Sequence, residues 1–419
     1  MEPITLKGMA FTPLHQAVGA PPGPIDNDLL NAAIADGIAE TDGLDWKSEL
    51  PPEKGLSQTD FPKDIAAMAN SGGGIIAYGV KEAQKQATGR TDTGPLTENH
   101  ERALRSVAIT AISPPVFGLG VHRLEEEGSQ AVIIEVPSSV DGPHLIYRND
   151  YFGAPIRNDA DTVWMKERQI AVMYRARFDE QRHATEALDQ LFEEASTGRD
   201  TGVRAWMIMV ARPRLPHTGT RLSKLEAQAI LDEAETLTCQ YAGRSWQHPL
   251  ESVERRSLRP GLRRWTAINT ATGTSQWREA WASIHHDGSL TLATTAGGRR
   301  SHTETRKGWE IDPEVFECGI ADLMALVRAT AQVMGGQEYD VKVGIRWTGQ
   351  EPLMIMSKDQ HGIDLDSSIL PLHNFIPVEA TVNAAAPNAD FQQNVYELAE
   401  DCINQGGIST VLLITPTDQ

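Results

Sequence analysis

Three cysteines in 419 residues, and the absence of any long apolar run, exclude several classes of protein. Cys239, Cys318 and Cys402 lie far apart, so they match neither a disulfide framework nor the paired spacing of a zinc site. No apolar run approaches the roughly 20 residues that a membrane-spanning helix needs. The first twenty residues show no basic segment followed by an apolar one, so we expect no signal peptide. We therefore predict a cytoplasmic protein with free thiols and no contact with a membrane.

Basic residues are also scarce, because 38 Lys and Arg stand against 57 Asp and Glu, for a net charge of −19. This balance argues against a protein that is coated in nucleic acid. The charge is uneven, however, with nets of −13 for residues 1–200, +7 for 201–308 and −13 for 309–419. The basic residues are densest in "RRSLRPGLRRW" (255–265) and "GGRRSHTETRK" (297–307). Such runs either bind phosphate groups or form solvated surfaces paired with acidic neighbours.

The length favours more than one domain. Residues 1–27 are rich in Pro and Gly and indicate an arm or loop. Residues 28–200 and 201–419 each alternate strand-like and helix-like segments, so we predict an α+β protein with two domains built of mixed sheets and helices. The polar stretch "TGRDTG" (197–202) marks the boundary between them, and the basic stretch 255–307 falls within the second.

In the first domain, apolar spacing predicts a helix in "DNDLLNAAIADGIAE", a short strand in "GLDWK", a helix in "TDFPKDIAAMANS" and a buried strand in "IIAYGV". The alternation of the first strand places Leu44 and Trp46 on one face, and Asp45 and Lys47 on the other. In the second domain we predict a strand in "VRAWMIMVARP" followed directly by the basic stretch. Near the end we predict a helix over 315–335 and a last strand in "TVLLIT".

Three acidic residues are candidates for one site. Glu40 and Asp45 converge if the chain turns at Gly43, and Glu82 joins them if "IIAYGV" pairs beside "GLDWK". Such a cluster suits Mg²⁺ or Mn²⁺, which bind carboxylate oxygens and activate water for phosphodiester hydrolysis. Lys47 would then stabilise the charge that develops on the phosphate. The alternative is that these residues are ordinary surface charges.

A glycine triplet follows in "ANSGGGIIAYGV". It is neither a GxxxxGK[ST] loop nor a GxGxxG turn that opens a helix. The glycines either line a binding pocket together with Asn70 and Ser71, or they allow two elements to pack tightly. The candidate binding residues here are Asn70, Ser71, Gly72, Gly73 and Gly74.

Together these segments resemble the Schlafen AlbA-type domain over roughly residues 28–180. The resemblance rests first on the spacing of Glu40 before the acidic–aromatic–Lys triplet at residues 45–47. Further matches lie in a helix end, a strand end and a later strand: Ala69, Asn70, Ser71, Gly73, Gly74, Gly79, Val80, Val136, Pro137, Ser139, Pro143 and His144. Tyr151, Arg157 and Thr162 lie near the family's turn motif, although "FGAPIRNDADT" is longer than that motif.

The resemblance implies two activities. Bacterial members of the family are described as DNA-binding or ATP-binding domains, often in regulators. Animal members include metal-dependent ribonucleases, whose three acids correspond here to Glu40, Asp45 and Glu82. The resemblance thus implies RNA or DNA as partner, with Mg²⁺ or Mn²⁺ as cofactor of an endoribonuclease or ATP as ligand of a regulator.

The resemblance does not reach the second domain. There we predict that Arg255, Arg256, Arg263 and Arg264 contact nucleic acid, as Arg157 does in the first domain. Trp265, Trp277 and Trp281 are interleaved with them and either stack on bases or belong to the core. A phage-defence type of interaction protein is a third hypothesis, and acidic segments on both sides of a basic one would also suit a homo-oligomer.

Overall fold

The computed structural model describes residues 11–21, 23–126, 128–148, 151–217, 221–269, 278–300, 305–357 and 370–416. The chain divides into two compact units, Met1–Arg182 and His183–Gln419. Both units combine helices with mixed or antiparallel sheets, so the protein is α+β. Within the described ranges, no helix has the length and apolar character needed to cross a membrane.

The helices are α1 (Pro13–Val18), α2 (Asn27–Ala35), α3 (Phe61–Asn70), α4 (Glu98–Thr110), α5 (Glu167–Ser196), α6 (Lys224–Tyr241), α7 (Pro249–Ser252), α8 (Pro313–Met334) and α9 (Asn388–Asn404), with 3₁₀ turns at Leu56–Gln58 and Arg255–Ser257. The strands of the first unit are β1 (Leu44–Lys47), β2 (Gly74–Tyr78), β3 (Val80–Ala83), β4 (Gln86–Arg90), β5 (Ile112–Ser113), β6 (Gly120–Glu126), β7 (Ser129–Val136), β8 (Leu145–Arg148), β9 (Tyr151–Gly153), β10 (Pro155–Asn158) and β11 (Asp161–Trp164). The strands of the second unit are β12 (Trp206–Pro213), β13 (Arg259–Gly261), β14 (Arg264–Asn269), β15 (Ala280–His285), β16 (Leu290–Thr295), β17 (Glu310–Ile311), β18 (Glu338–Arg346), β19 (Leu353–Ile355), β20 (Pro371–Leu372) and β21 (Val378–Asn383).

The first unit is built on a four-stranded sheet in the order β1-β2-β7-β6. Strands β1 and β2 are parallel and adjacent, and α3 connects them, so the pairing on which the approach of Glu82 to Asp45 was conditional is present. One face packs its apolar residues, including Leu44 and Trp46, against α1 and α2. The other face, including Ile76 and Tyr78, packs against α3 and α4. Asp45 and Lys47 therefore leave the edge strand on the side of α3.

Three smaller pairings complete the first unit. Strands β3 and β4 form one hairpin, and β10 and β11 form another. Strand β8 pairs with both β5 and β9. A small apolar cluster of Leu145, Ala154 and Met165 lies among β8, β10 and the start of α5.

The second unit is built on a seven-stranded antiparallel sheet in the order β13-β14-β15-β16-β12-β18-β21. Its inner face buries Met207, Ala282 and Leu292 against the helices α6, α8 and α9. On the outer face, Trp206 and Ile208 pack against Leu188 and Phe192 of α5. The division between the units falls inside α5, whereas the predicted boundary lies just after that helix.

Three elements differ from the sequence analysis. The segment that we expected to be an arm contains α1, because Leu14 is buried in the core of the first unit. Helix α6 was missed, although Ser223 and Glu226 form a capping box that marks its start. The capping box is the sequence signal for this helix that the apolar periodicity alone did not provide.

The last strand predicted in "TVLLIT" is wrong. The buried Glu317 carboxylate accepts hydrogen bonds from the backbone N–H groups of Leu412, Leu413 and Ile414. These N–H groups are therefore not available to a neighbouring strand. A polar side chain from α8, distant in sequence, replaces the strand ladder.

Helix α8 also carries a buried ion pair. His248 Nδ1 lies 2.8 Å from Asp322 Oδ1, and His248 Nε2 lies 3.2 Å from the carbonyl oxygen of Gly243. Both ring nitrogens thus face acceptors, which requires a protonated imidazole. Although burial lowers the pKa of His248, Asp322 and the nearby Cys318 raise it to about 12. Cys318, His248 and Asp322 are all buried, so this group holds the core together and offers no entry to a substrate.

We predict that Asp322→Asn destabilises the second unit by about 3–5 kcal/mol, because it leaves a buried cation without its partner. The folded-state pKa of His248 lies above its ordinary value, so its stabilisation is complete below pH ~6.5 and declines as the pH rises toward 12. The free energy of unfolding, measured by hydrogen exchange in α8 under denaturant at pH values from about 7 to 10, should fall with pH in the wild type and not in the variant. The exposed Asp232→Asn on α6 is the matched control. Equal pH dependence in all three proteins would contradict the assignment.

Candidate functional site

Strand β1 presents Asp45 and Lys47 to helix α3. Lys47 Nζ lies 2.9 Å from Asp45 Oδ2 and 3.8 Å from Oδ2 of Asp64, which α3 contributes. Asp45 and Asp64 are 2% and 7% exposed, whereas the side chain of Lys47 reaches solvent. A lysine at the surface therefore bridges two buried carboxylates.

Arg157 binds the other side of Asp45. Its Nη1 lies 3.1 Å from Asp45 Oδ1, and its Nη2 donates to the carbonyl oxygen of Thr41 at 3.1 Å. The side chains of Arg157 and Asp45 are each 3% exposed. The backbone N–H of Arg157 donates to Ser71 Oγ at 2.9 Å. Arg157 thereby fastens the β10–β11 hairpin to the edge of the sheet, and its buried guanidinium is not presented to solvent.

Asn70 holds the same hairpin from the end of α3. Its Nδ2 donates to the carbonyl oxygens of His144 and Pro155 at 2.9 and 2.8 Å. Its Oδ1 accepts from the backbone N–H of His144 at 2.7 Å. All the hydrogen-bonding groups of this buried amide are thus directed to the backbone that precedes and forms β10.

The glycine triplet mainly allows close packing. A Cβ atom on Gly73 would lie 2.7 Å from the backbone nitrogen of Ser138, and one on Gly74 would lie 2.7 Å from the carbonyl oxygen of Gly43. Gly72 faces open space. Gly73 also has φ = +91°, which favours glycine. Two of the three glycines therefore serve the junction between α3 and β2.

Glu40 and Glu82 occupy different positions from Asp45. Glu40 is half-buried, and its Oε1 accepts from the backbone N–H of Trp46 at 3.1 Å. Burial raises the pKa of Glu40, and the charges of Asp45 and Glu82 raise it further. Glu82 is exposed on β3. The charges of the other two predicted acids therefore both act on Glu40, although the three side chains occupy different positions.

Three carboxylate oxygens of the acidic cluster already have partners. Both oxygens of Asp45 face cations, Arg157 and Lys47, and the Glu40 oxygen that faces β1 accepts a backbone hydrogen bond. Across the described ranges, no group of three or more His, Cys, Asp or Glu is placed to hold a metal. A cation at Asp45 would have to displace one of its two basic partners.

Asp64 and Tyr78 belong to the cluster but were missed by sequence reasoning. Burial raises the pKa of Asp64 to about 6, against an ordinary value of 3.8, despite the opposing effect of Lys47. Burial also raises the pKa of Tyr78, as do the nearby Asp64 and Asp45 charges. Burial lowers the pKa of Lys47, but Asp45 and Asp64 raise it more, so this lysine stays charged. A signal was present, because Asp64 occupies an otherwise apolar face of α3 that includes Phe61.

Three exposed aromatic rings lie on the hairpins that Arg157 and Asn70 hold. Tyr147 on β8 and Phe152 on β9 are cross-strand partners, with ring centroids 5.9 Å apart. Trp164 on β11 lies against Gly153, where an added Cβ would come within 2.7 Å of the indole. The three side chains are 59%, 64% and 53% exposed. Tyr147 and Phe152 share one face of the β8–β9 hairpin, whereas Trp164 lies against Gly153 and therefore on the other face. We refer to these three exposed residues, Tyr147, Phe152 and Trp164, as the aromatic patch.

The basic stretch of the second unit is divided in its roles. Arg255 pairs with Glu235, whereas Arg256 and Arg263 are exposed and Arg264 is partly buried on β14. Arg263 turns the chain between β13 and β14 with φ = +55°. The four predicted arginines therefore do not form one contiguous surface set.

The tryptophans near these arginines are largely structural. Trp265 donates its indole N–H to the carbonyl oxygen of Leu222 at 2.8 Å and packs on the core. Trp281 packs beside α5, under the guanidinium of Arg199 at 4.3 Å. Trp277 lies outside the described residues. Of the two alternatives for these tryptophans, Trp265 therefore belongs to the core, since its ring and its N–H are both in use.

Comparisons with known proteins identify the first unit. The family model described as "Schlafen, AlbA_2" matches residues 40–166. This segment is a Schlafen AlbA_2 domain. The match begins at Glu40 and ends just after Trp164, so the acidic cluster and the aromatic patch both lie within the AlbA_2 domain.

Solved structures add only weak likenesses. The N-terminal domain of a RecG-related protein from Nitrosomonas europaea is 15% identical, with a TM-score of 0.24 over 33% of this chain and 88% of that chain. The DIP2311 protein from Corynebacterium diphtheriae is 15% identical, with a TM-score of 0.26 over 52% of this chain and 34% of that chain. Neither TM-score establishes a shared fold. The search of curated proteins returned no match.

We predict that Asp64→Asn stabilises the AlbA_2 domain near neutral pH. The folded-state pKa of Asp64 is raised, so the folded state loses stability as the pH rises from 3.8 to about 6. Removing the charge should recover roughly 1–3 kcal/mol at about pH 8 and much less at about pH 4.5. Denaturant unfolding at the two pH values measures the difference, and carboxyl NMR titration reports the pKa directly. The exposed Asp42→Asn should show neither effect; a uniform destabilisation by Asp64→Asn would contradict the prediction.

Proposed function

We propose that this protein binds nucleic acid, DNA in the first instance, and that its AlbA_2 domain contacts unpaired bases through the aromatic patch. The observation that carries the proposal is the presence of three exposed rings within the segment that matches the family. Isolated exposed apolar residues are common, but adjacent exposed rings favour an interaction site. Aromatic rings stack on bases of any sequence.

The surroundings of the aromatic patch support a polyanionic ligand. Lys166 and Arg168 follow Trp164 closely in sequence and are both exposed. In the parts of the chain that the structure describes, neither takes part in an ion pair. Lys85, which is also exposed, is paired with Asp161 on β11. Exposed cations together with stacking rings are typical of single-strand binding surfaces.

The hydrogen bonds of the family motif favour binding over catalysis. Asp45, Asn70 and Ser71 direct their side chains to the β10–β11 hairpin, which carries Trp164. The motif residues therefore hold in place the hairpin that carries Trp164. The glycine triplet, which the ATP-binding alternative would use as a phosphate cradle, is largely taken up by packing.

We expect Phe152→Ala and Trp164→Ala each to weaken binding of a short fluorescein-labelled oligothymidylate roughly tenfold, since stacking of one base contributes about 1–3 kcal/mol. Fluorescence anisotropy of the full-length chain, repeated over a range of salt concentrations, measures the change. Wild-type affinity should fall steeply with salt because phosphate contacts release counterions. Phe178→Ala is the matched control, because Phe178 is 62% exposed in the same unit but lies on α5.

Three results would overturn this assignment. The first is that wild-type chain binds no DNA or RNA. The second is that binding does not respond to salt. The third is that Phe152→Ala and Trp164→Ala alter self-association, by sedimentation, while leaving DNA affinity unchanged, which would make the aromatic patch a contact between copies.

A metal-dependent endoribonuclease is the second candidate. It is favoured by the proximity of the acids to one another. Burial raises the pKa of Glu40 most, and the negative charges of Asp45 and Glu82 raise it further, as expected of carboxylates that repel one another. In that case Mg²⁺ or Mn²⁺ would supply an activated water, and Lys47 would neutralise charge on the phosphate. The basic partners of Asp45 are the observation against it.

The nuclease is tested with a mixed transfer-RNA pool, incubated with Mn²⁺ or with EDTA. We expect no metal-dependent cleavage by the wild type, and we expect Glu40→Ala to bind oligothymidylate normally. Cleavage that needs Mn²⁺, is lost in Glu40→Ala and persists in the exposed control Glu49→Ala would establish the enzyme instead.

A further inference from the structure

The outer face of strands β14 and β15 in the second unit is polar, unlike the apolar region that α5 covers next to it. The cross-strand pairs on this face are Arg264 with His285, Thr266 with Ser283, and Ile268 with Trp281. The hydroxyl groups of Thr266 and Ser283 hydrogen-bond each other at 3.0 Å. The face thus runs from a cationic end at Arg264 to an apolar end at Trp281, which packs against α5 and Arg199.

Two arginines belong to this face. Arg199 lies 4.3 Å from the ring of Trp281 and 5.2 Å from that of Trp206. Burial lowers the pKa of Arg199, and the charge of Arg264 lowers it further, whereas Glu279 opposes the change. In the described part of the chain, neither Arg199 nor Arg264 has a carboxylate within ion-pair distance. Within the described residues, therefore, neither of these two charges has a counter-ion of its own.

The acidic side chains nearby are bonded to other groups. They are Asp200, bonded to Arg204 and to Trp206 Nε1, Glu279, bonded to Arg204, and Glu194, bonded to Gln190. These residues leave the positive charge of Arg199 and Arg264 without a direct partner. An external anion would complete the arrangement.

Two ring nitrogens on the same face have no partner. Trp281 Nε1 and His285 Nε2 are buried and form no hydrogen bond in the structure. An indole N–H only donates, and a guanidinium only donates. The unmet groups on this face are therefore mainly donors, and the ligand that satisfies them must bring acceptors.

We propose that the outer face of β14 and β15 binds the phosphodiester backbone of a nucleic-acid strand, with Arg199 and Arg264 as the phosphate ligands. The four residue steps from Arg264 to Ile268 extend about 13 Å. That length suits a strand with successive phosphates better than one free phosphate. The proposal rests on the proposed function, since it places a second contact for the same nucleic acid on the second unit.

The test compares Arg264→Gln and Arg199→Gln with Arg256→Gln, an exposed arginine of the same basic stretch that lies outside this face. Anisotropy of labelled oligothymidylate over a salt series should show roughly tenfold weaker binding for the first two variants, with a log–log salt slope shallower by about 1. Arg264→Lys, which keeps the charge, should recover most of the affinity. Circular dichroism and thermal melts confirm that each variant is folded.

A second set of measurements separates the possible sources of phosphate. Thermal shift with inorganic phosphate and with thymidine monophosphate is measured for the wild type and Arg264→Gln. Stabilisation by either small ligand that is lost in Arg264→Gln, without DNA binding by the wild type, would support a small-phosphate site and overturn the strand-binding assignment. If Arg199→Gln and Arg264→Gln bind DNA as tightly as Arg256→Gln does, this inference alone is overturned. The aromatic patch then remains as the contact. Loss of affinity in all three variants alike would also overturn it, because it would indicate a diffuse effect of charge.

Discussion

The ion pair between Arg157 and Asp45 is the contact on which the first unit depends. Both side chains are buried, so each would be costly to hold without the other. Arg157 comes from a hairpin and Asp45 from the edge strand of the sheet, so the pair joins the hairpin to that edge. The same hairpin carries Trp164 to the surface. A buried electrostatic contact and an exposed aromatic ring are thus two ends of one small element.

This arrangement changes the meaning of the acidic motif. Carboxylates near a Lys suggest a metal site when only their order is known. In the structure, Asp45 is surrounded by basic groups and Asp64 is desolvated enough to titrate near neutral pH. Desolvation and pairing compete in this cluster, and Lys47 offsets the cost for both carboxylates. The buried part of the cluster therefore supports the hairpins, whereas the carboxylates of Glu40 and Glu82 lie nearer to solvent.

The second unit distributes its charge differently. Its buried ionic groups, His248 with Asp322 and Glu317 with three backbone N–H groups, are fully matched within the core. On the outer sheet face, Arg199 and Arg264 form no ion pair with any residue that the structure describes. Unpaired cations near a surface attract anions, whereas buried matched ones do not. The net charge of +7 over residues 201–308 therefore bears on binding through residues such as Arg264, which has no ion pair within the described ranges.

The sequence by itself determined the α+β class and the AlbA_2 segment, because alternation and motif order are local properties of the chain. It also determined which face of β1 is charged. Only the tertiary structure decided the partner of each charge: the bond from Arg157 to Asp45 spans 112 residues, and Asp64 reaches Lys47 through a crossover helix. The mistaken strand at the end of the chain has the same cause, since Glu317 lies 95 residues from Leu412. Hydrophobic periodicity is a local property that can be identified from the sequence. The partner of a buried charge depends instead on which distant residue shares its low-dielectric surroundings.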